Sequence, residues 1–286
     1  MTTSDAFDVR TMTKADIVDG IRLSALAGWN QTDLDWRRFL RLQPCGCFVA
    51  ARDGKVHGTV TTLSYEKRFG WIGMVLVDPE IRKQGLGTRL LERGMDYLRS
   101  EGVETLKLDA TPMGHGLYLR LGFLDEYEIE RWEISSAAAP GTSQLPLMSA
   151  ESLEDACRVD RDIFGADRSC LLKSLWEENP LSTAAVYAGG RLVGYAFGRR
   201  GRRAHYLGPW VAESAAAARM LLEEFLMRLR GAPVFVDVCL RSGSAREVVE
   251  RAGFQFQRKL TRMHLGPNCH PGQPERVYGI AGPELG

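Results

Sequence analysis

The chain has 286 residues, enough for one large or two modest domains, and its 44% hydrophobic and 26% charged residues are ordinary for a globular protein. A net charge of +1 favours neither nucleic acid nor an anionic membrane, no stretch approaches the roughly 18 apolar residues of a membrane span, and the N-terminus lacks a secretion signal. We therefore expect a cytoplasmic protein without a nucleic-acid or membrane partner, and the scattered cysteines, which lack paired zinc spacing, predict no metal site.

Helical periodicity and apolar runs define the elements of the first half. Asp53-Gly54 lies between two apolar runs and predicts a tight hairpin, and Gly102 is a natural helix stop. The predicted order is α-α-β-β-β-α-β-α-β, with elements at 14–28, 33–42, 47–52, 56–65, 71–77, 88–100, 105–111, 114–121 and 123–134.

The second half repeats this order after residues 135–147, a segment of small residues and prolines that is typical of a linker. Each half carries a Gly-Phe pair, Gly122-Phe123 and Gly253-Phe254, where a short helix turns into a strand. We therefore predict two copies of one fold, residues 1–134 and 148–286. The repeated elements lie at 153–164, 169–176, 184–188, 191–200, 205–211, 215–230, 234–240, 245–252 and 254–265, followed by an irregular tail over 266–286.

A glycine-containing loop after the strand at 71–77 carries the strongest chemical signal. Its pattern R-x-x-G-x-G-T opens a helix, with Arg82, Gly85, Gly87 and Thr88 at the defined positions. The first turn of a helix has unpartnered N–H groups and a positive dipole end, so it can hold a pyrophosphate that glycine lets come close. The spacing fits neither a P-loop nor a dinucleotide fingerprint. The alternative is a glycine-rich turn without a ligand.

This loop and a second motif resemble the GCN5-related N-acetyltransferases. That family has an acyl-CoA motif [QR]-x-x-G-x-[GA] after a strand, here Arg82–Gly87, and a tyrosine four residues before a glycine, here Tyr118 before Gly122-Phe123. The resemblance implies an α/β (α+β) fold with two tandem domains. Each domain is expected to be a mixed, mostly antiparallel twisted sheet flanked by helices, with splayed central strands.

The resemblance also implies where acyl-CoA binds, with acetyl-CoA as the expected co-substrate. A bulge in the strand before the loop leaves N–H groups that can pair with the pantetheine arm and the thioester oxygen. The expected cofactor-binding residues are Val75, Leu76, Val77, Arg82, Lys83, Gln84, Gly85, Leu86, Gly87 and Thr88.

For catalysis the resemblance implies direct attack of an amine on the thioester, with Tyr118 as the general acid that protonates the leaving thiolate. The alternative is that Tyr118 is a buried helix tyrosine. The general base stays open. Asp109 is one candidate, beside His115, Glu66 and a relaying water molecule.

The resemblance implies an acceptor site at the connection between the first two helices, and aromatic walls with a few polar groups suit a small polar amine there, with Trp29, Asn30 and Gln31 as the expected substrate-binding residues. Alternatively, Trp29 and Trp36 are core anchors and Asn30 is a turn residue or helix cap. The second half lacks the phosphate-loop motif, and Glu213 at the corresponding place would repel a pyrophosphate. We predict that this degenerate copy binds no acyl-CoA. It either walls off the acceptor pocket or is a purely structural partner. Its candidate pocket residues are Tyr206, Trp210 and Asp237.

A local basic run in the second half has two interpretations. It is a solvated hairpin tip or an anion contact, and it consists of Arg199, Arg200, Arg202 and Arg203.

The sequence therefore predicts an N-acyltransferase that moves an acetyl group from acetyl-CoA to the primary amine of a small molecule in a ternary complex. The alternatives are a protein or peptide amine as acceptor, and a non-catalytic acyl-CoA-binding sensor. Tyr118 favours an enzyme, because a sensor does not need a general acid. The oligomeric state stays open.

Overall fold

The computed structural model describes residues 7–137 and 145–286, so most of the predicted linker, 138–144, lies outside the described residues. The first half follows the predicted order and begins with one further strand. Its strands are β1 (Asp8–Thr11), β2 (Cys47–Arg52), β3 (Lys55–Tyr65), β4 (Phe69–Val77), β5 (Leu106–Ala110) and β6 (Leu124–Ile134). Its helices are α1 (Ile17–Leu26), α2 (Asp33–Leu42), α3 (Leu86–Ser100) and α4 (Pro112–Arg120).

The second half repeats these elements, and its tail adds one more strand. Its helices are α5 (Ala150–Phe164), α6 (Ser169–Glu178), α7 (Ala215–Arg228) and α8 (Ala245–Arg251). Its strands are β7 (Ala184–Ala188), β8 (Arg191–Arg199), β9 (His205–Ala212), β10 (Val234–Cys239), β11 (Gln255–Leu265) and β12 (Val277–Gly279). The prediction of an irregular tail is therefore wrong for β12. No helix within the described ranges is long and apolar enough to cross a membrane.

The β2–β3 hairpin shows how local sequence fixes the register. Asp53 and Gly54 have φ values of 52° and 76°, the left-handed conformation that a two-residue hairpin turn requires. Arg52 and Lys55 are register partners directly on either side of this turn. The predicted hairpin is confirmed.

The strands of both halves form one sheet, in the order β1-β2-β3-β4-β5-β11-β6-β10-β12-β9-β8-β7. The halves exchange their last long strands: β11 pairs with β5 and β6, and β6 pairs with β10. Each half thereby supplies a strand to the sheet of the other. Tandem copies were predicted from the sequence, whereas this exchange was not.

Two buried ion pairs hold the exchanged strands to their new neighbours. On β11, Arg262 donates to both carboxylate oxygens of Asp109 on β5, at 2.8 and 2.9 Å. On β6, Arg131 pairs in the same way with Asp237 on β10, with 2.8 Å between Nε and Oδ1. Both carboxylate side chains are fully buried. Such pairs fix the register of the exchanged strands, because separating a buried charge from its partner costs several kcal/mol of stability.

Helices cover both faces of the sheet. Helices α1, α2, α5 and α6 share a core on what we call the inner face, where Trp36 and Phe39 are fully buried. Helix α3 packs on the opposite, outer face of the first half, and α7 and α8 pack on the outer face of the second half. The two buried ion pairs lie on the inner face, since Arg262 stacks on Trp71 at 4.6 Å from the ring centroid.

The tail joins the two halves on the inner face. After β12, which pairs with β9 and β10, the chain continues as Ile280–Gly286 toward β4. There the Tyr65 hydroxyl donates to the Leu285 carbonyl at 2.7 Å, and the Trp71 indole donates to the Pro283 carbonyl at 3.0 Å. The tail is therefore part of the packed structure.

Replacing Arg131 with Met tests the exchanged strands. This change leaves the buried Asp237 carboxylate without its guanidinium and should lower the free energy of unfolding by about 3–5 kcal/mol. Arg251→Met, which breaks an exposed pair with Glu247, should cause little change. Denaturant unfolding measures both variants. Equal effects would show that the buried pair does not stabilise the exchange.

Candidate functional site

The parallel strands β4 and β5 separate after a short paired region. Their register partners are Gly70 with Leu106 and Trp71 with Lys107. From Ile72 onward β4 has no partner on β5, although both strands continue. The central strands of the first half are therefore splayed, as the fold resemblance implied, and an open edge of backbone faces the gap.

Strand β4 carries a bulge beside this gap. On β3, Thr59 and Thr61 pair with Leu76 and Gly73 of β4. Two residues therefore lie between the paired positions on β4, whereas one residue lies between them on β3. Met74 within the bulge has φ 49°, and its carbonyl accepts a hydrogen bond from the Thr59 hydroxyl at 2.7 Å. A bulge turns backbone groups away from the regular ladder. The predicted bulge is present, and it begins slightly before the expected Val75–Val77.

The loop after β4 ends in a helix start without a side-chain cap. Gly85 is the N-cap of α3 with φ 78°, no side chain caps the helix, and the first turn contains no acidic residue. The first helical hydrogen bond runs from the Arg89 N–H to the Gly85 carbonyl. The amides of Leu86, Gly87 and Thr88 therefore point out of the helix start, next to a positive dipole end.

The side chains of this loop leave the helix start open. Arg82, Lys83 and Gln84 are exposed, and Lys83 has φ 66°. A Cβ atom at Gly87 would find only a Val77 methyl, at 3.5 Å. Arg82 donates from Nε to the Val77 carbonyl at 3.2 Å, which ties the loop to the end of β4.

The second half has the same architecture with its gap filled. There β12 inserts between the parallel strands β9 and β10 and pairs antiparallel with both. A Cβ atom at Gly208 would lie 1.9 Å from the Ile280 carbonyl oxygen, so the tail packs directly on β9. The corresponding helix, α7, is capped by Ser214, whose side chain accepts from the Ala217 N–H. In the described part of the second half, the gap between β9 and β10 therefore holds a strand, and the helix that follows β9 starts with a side-chain cap.

Tyr118 lies on α4, and its ring packs on the same outer-face core as the side chains of Val75 and Val77. The ring meets Phe123 edge-on at 6.0 Å between centroids. Burial raises the pKa of Tyr118 to about 12, so the phenol stays protonated at neutral pH. A Cβ atom at Gly114 would lie 3.3 Å from the hydroxyl, so glycine leaves room for this group.

The candidate bases are all engaged by other groups. Both oxygens of Asp109 accept from Arg262, while burial raises the pKa of Asp109. Glu66 accepts from Arg161 at 2.6 Å and from the Asp167 N–H at 2.8 Å. Nε2 of His115 lies 2.8 Å from an Asp125 carboxylate oxygen. The ion pair of Asp109 with Arg262 joins β5 to β11, and the role of Asp109 as a base stays a prediction.

The loop between α1 and α2 contacts the second half. The Asn30 amide donates to the Ala204 carbonyl at 2.9 Å, and its oxygen accepts from the N–H groups of Arg203 and Ala204. The Asn30 carboxamide therefore connects the loop between α1 and α2 to residues 203–204, and we call this contact the clasp. Trp29 is partly buried against the inner core, and the oxygen of the buried Gln31 carboxamide has no hydrogen-bond partner in the described structure.

The predicted pocket residues of the second half are divided between the two faces. The Tyr206 hydroxyl donates to Asp237 at 2.9 Å, and both side chains are buried on the inner face near the tail. Trp210 is 0% exposed and packs on the outer-face core beside Tyr278. The structure therefore does not bring Trp210 to the other two residues.

The inner face also contains polar side chains that the sequence analysis missed as site candidates. Glu284 in the tail lies against Gly73 of the bulged strand, where a Cβ atom would come within 2.9 Å of the Glu284 Cα. Its carboxylate pairs with Arg199, and both side chains are buried. Nothing in the local sequence indicates this contact, since 211 positions separate Gly73 from Glu284. Within 7–137 and 145–286, no cluster of three or more His, Cys, Asp or Glu residues could hold a metal ion.

Comparison with known families agrees with this geometry. Residues 19–123 match the model of the Acetyltransferase (GNAT) family, and residues 156–279 match the model of an Acetyltransferase (GNAT) domain. The chain belongs to the GNAT acetyltransferases and is an acyl-CoA-dependent N-acyltransferase with two tandem GNAT domains.

Related proteins match over most of the length of this chain. The chain is 24% identical to the holothin acyltransferase of a Pseudoalteromonas strain over 88% of this chain and 85% of that protein. A solved structure from Pyrococcus horikoshii superposes with a TM-score of 0.82 at 23% identity, covering 100% of this chain and 98% of the other. A tandem GNAT protein from the clavulanic acid biosynthesis pathway superposes with a TM-score of 0.63 at 16% identity, over 92% and 99% of the two chains.

The clasp at Asn30 can be tested by Asn30→Ala. The change leaves three backbone groups of the 203–204 turn without partners, so the free energy of unfolding should fall by about 1–3 kcal/mol. Gln255→Ala, at an exposed carboxamide, is the control and should be neutral in the same denaturant titration. Unchanged stability together with lost activity would place Asn30 in the acceptor site.

Proposed function

We propose that the first GNAT domain binds one acyl-CoA, with acetyl-CoA as the donor, and transfers the acyl group to the primary amine of a small molecule. The contrast between the two halves carries this proposal. The first half has a splayed strand pair, a bulge and an uncapped helix start, whereas β12 and Ser214 fill the corresponding places in the second half. We also propose that the domains span 1–134 and 148–286 with a linker at 135–147.

The proposed cofactor site follows the open edge of β4 and the start of α3. The pyrophosphate binds the first-turn amides, where helix dipole and N–H groups favour an anion. The exposed cations beside this turn add attraction at the surface. The pantetheine arm pairs with the unpartnered backbone of β4. The residues of this site are Val75, Leu76, Val77, Arg82, Lys83, Gln84, Gly85, Leu86, Gly87 and Thr88.

In the proposed reaction the neutral amine attacks the thioester carbonyl directly. The C–N bond forms and the C–S bond breaks, a bulge N–H of β4 stabilises the oxyanion, and Tyr118 protonates the thiolate. Water takes the proton that the amine loses, because the three side-chain candidates are paired with other groups. Tyr118 is protonated at neutral pH, so its hydroxyl can donate a hydrogen bond and then the proton to the thiolate as it forms.

Two observations support a small acceptor. The tail covers the inner face beside the gap, since the Trp71 indole donates to the Pro283 carbonyl at the paired end of β4 and Glu284 lies against Gly73, where β4 no longer pairs with β5. This cover favours an acceptor small enough to enter beside the tail. A relative that is 24% identical over 88% of this chain is named holothin acyltransferase.

Gly87→Asp tests the proposed cofactor site. An aspartate in the first turn of α3 is compatible with the helix dipole, so the fold should persist. The pyrophosphate would meet a carboxylate and lose two or more charge-assisted hydrogen bonds, so acetyl-CoA affinity should fall roughly 100-fold or more. Calorimetric titration measures this affinity.

Ala216→Asp is the matched control, because residue 216 holds the same position in the first turn of α7. This variant should bind acetyl-CoA as the wild type does, with one site per chain. If Ala216→Asp lost acetyl-CoA binding and Gly87→Asp kept it, the cofactor would bind the second half, and the proposal would be wrong.

Tyr118→Phe tests the general acid. Turnover should fall roughly 100-fold, in the range of general-acid contributions, with unchanged acetyl-CoA affinity. The deficit should shrink with an acyl thioester whose thiol is more acidic, because that leaving group needs less protonation. Steady-state kinetics with both donors gives the comparison, and an equal deficit with both donors would remove Tyr118 from this step.

The overall activity is tested by thiol release from acetyl-CoA across a panel of amines, amino acids, polyamines, aminoglycosides and short peptides. Release that depends on a small amine is expected. Release only with peptides would identify the acceptor as a protein or peptide amine. If acetyl-CoA binds but no acceptor causes thiol release, the result would favour a non-catalytic acyl-CoA-binding sensor over an enzyme that uses these acceptors.

A further inference from the structure

On the inner face, the exchanged strands β6 and β11 form two equivalent rows of register partners, each running across three neighbouring strands. In the first row, Arg262 is the register partner of Asp109 on one side and of Tyr127 on the other. In the second row, Arg131 is the register partner of Asp237 on one side and of Arg258 on the other. Arg258 therefore occupies the position that corresponds to Tyr127.

Irregularities in the strand pairing confirm this correspondence. The β6–β11 ladder skips Glu126 just before Tyr127, and it skips Gln257 just before Arg258. A bulge re-aims the side chain that follows it. The two positions are therefore equivalent in register and in local backbone irregularity.

In the first row, the Arg262 guanidinium has hydrogen-bond partners on both neighbouring strands. Arg262 donates to the Asp109 carboxylate and, from its third nitrogen, to the Tyr127 hydroxyl at 2.7 Å. Beside this row, Lys107 pairs with Glu126 at 3.3 Å. Two cations thus face two carboxylates.

The second row carries an excess of positive charge. Arg131 forms the ion pair with Asp237, and Arg258, the register partner of Arg131, has no ion pair with a carboxylate within 7–137 and 145–286. Like charges in opposite positions of neighbouring strands are destabilising. The Arg258 Nε atom is buried and has no hydrogen-bond partner among the described residues. Burial and the neighbouring Arg131 lower the pKa of Arg258.

The surroundings increase this excess. Beside the second row, Phe235 stands at the position equivalent to that of Lys107 beside the first row. The Cζ atoms of Arg131 and Arg203 lie 5.5 and 5.6 Å from the centroid of its ring. The position of Glu126 is taken by Gln257, whose amide is bonded to Glu133 at 2.6 Å. The nearby carboxylate of the tail, Glu284, is already paired with Arg199. No carboxylate of the described residues therefore forms an ion pair with Arg258.

The cluster formed by Arg131, Arg203, Phe235 and Arg258 lies toward the open end of the β4–β5 gap. Thr261 is the register partner of Ala110, near the end of β5, and Arg258 lies three residues further along β11, about 10 Å at roughly 3.3 Å per residue. Arg203 also donates to the Gly28 carbonyl at 3.0 Å, in the loop between α1 and α2. The cluster is thus on the inner face, opposite α3 and within reach of the acceptor side.

We propose that the acceptor is a primary amine that also carries an anionic group, a carboxylate or a phosphate, and that Arg258 binds this group. The inference rests on the proposed function, because it concerns the acceptor of the same reaction. The guanidinium is the natural donor for such oxyanions, and a half-buried position strengthens the interaction. The basic run that includes Arg203 then acts in part as an anion contact.

Matched acceptors test the proposal on the full-length enzyme. The pairs are 6-aminohexanoate with its amide, and O-phosphoethanolamine with ethanolamine. At least one anionic member should have a kcat/KM roughly 10-fold or more above its neutral partner, in the range of a hydrogen bond to a charged group. Which pair shows the preference distinguishes a carboxylate from a phosphate. Arg258→Gln should erase the preference through KM, with kcat and the neutral acceptors little changed. Arg251→Gln, at an exposed arginine, is the control.

A thermal measurement without turnover separates this proposal from the proposed function. Sodium phosphate or sodium acetate should raise the Tm of the wild type more than that of Arg258→Gln, at ionic strength matched with sodium chloride. Without these anions, Arg258→Gln should be at least as stable as the wild type, since a like-charge contact is removed. Equal Tm shifts in both proteins, or equal loss of anionic and neutral acceptors in the variant, would overturn the anion site. Absence of transfer to any amine, with the Tm difference present, would overturn the proposed function alone.

Discussion

Backbone hydrogen-bonding groups on two parting strands need partners, and the two halves of this protein meet that requirement differently. In the second half, the short strand β12 enters the gap between β9 and β10 and pairs with both. In the first half, β4 continues past its last β5 partner at Trp71 with an open edge. An extended, amide-containing ligand can supply the partners there. In the part of the chain that the structure describes, the gap of the first half is open and that of the second half is filled.

The exchange of β6 and β11 makes the two halves depend on each other, although the gap of the second half is filled. Arg131 and Arg262 pair with carboxylates on the sheet of the other half, so neither half has a complete set of partners alone. The same exchange places inner-face residues of both halves next to each other. The tail that fills one gap then lies along β4 of the other domain. One exchange of strands therefore both links the two halves and brings their inner-face residues together.

The sequence predicted what depends on local patterns. The hairpin at Asp53-Gly54, the glycine-rich start of α3 and the Gly-Phe repeats are all read from a few neighbouring residues. Strand β12, the exchange and the clasp at Asn30 depend on contacts between distant positions, for which a single sequence carries no direct signal. Arg258 was missed for the same reason, since its missing carboxylate is visible only beside the satisfied row at Tyr127.

The most direct test of the account is a crystal structure of the complex with coenzyme A. The account predicts the pantetheine arm between β4 and β5, the pyrophosphate on the first turn of α3, and the thiol end toward Tyr118. It also predicts that β12 still fills the gap between β9 and β10. Coenzyme A bound between β9 and β10, or at a place away from the α3 turn, would contradict it.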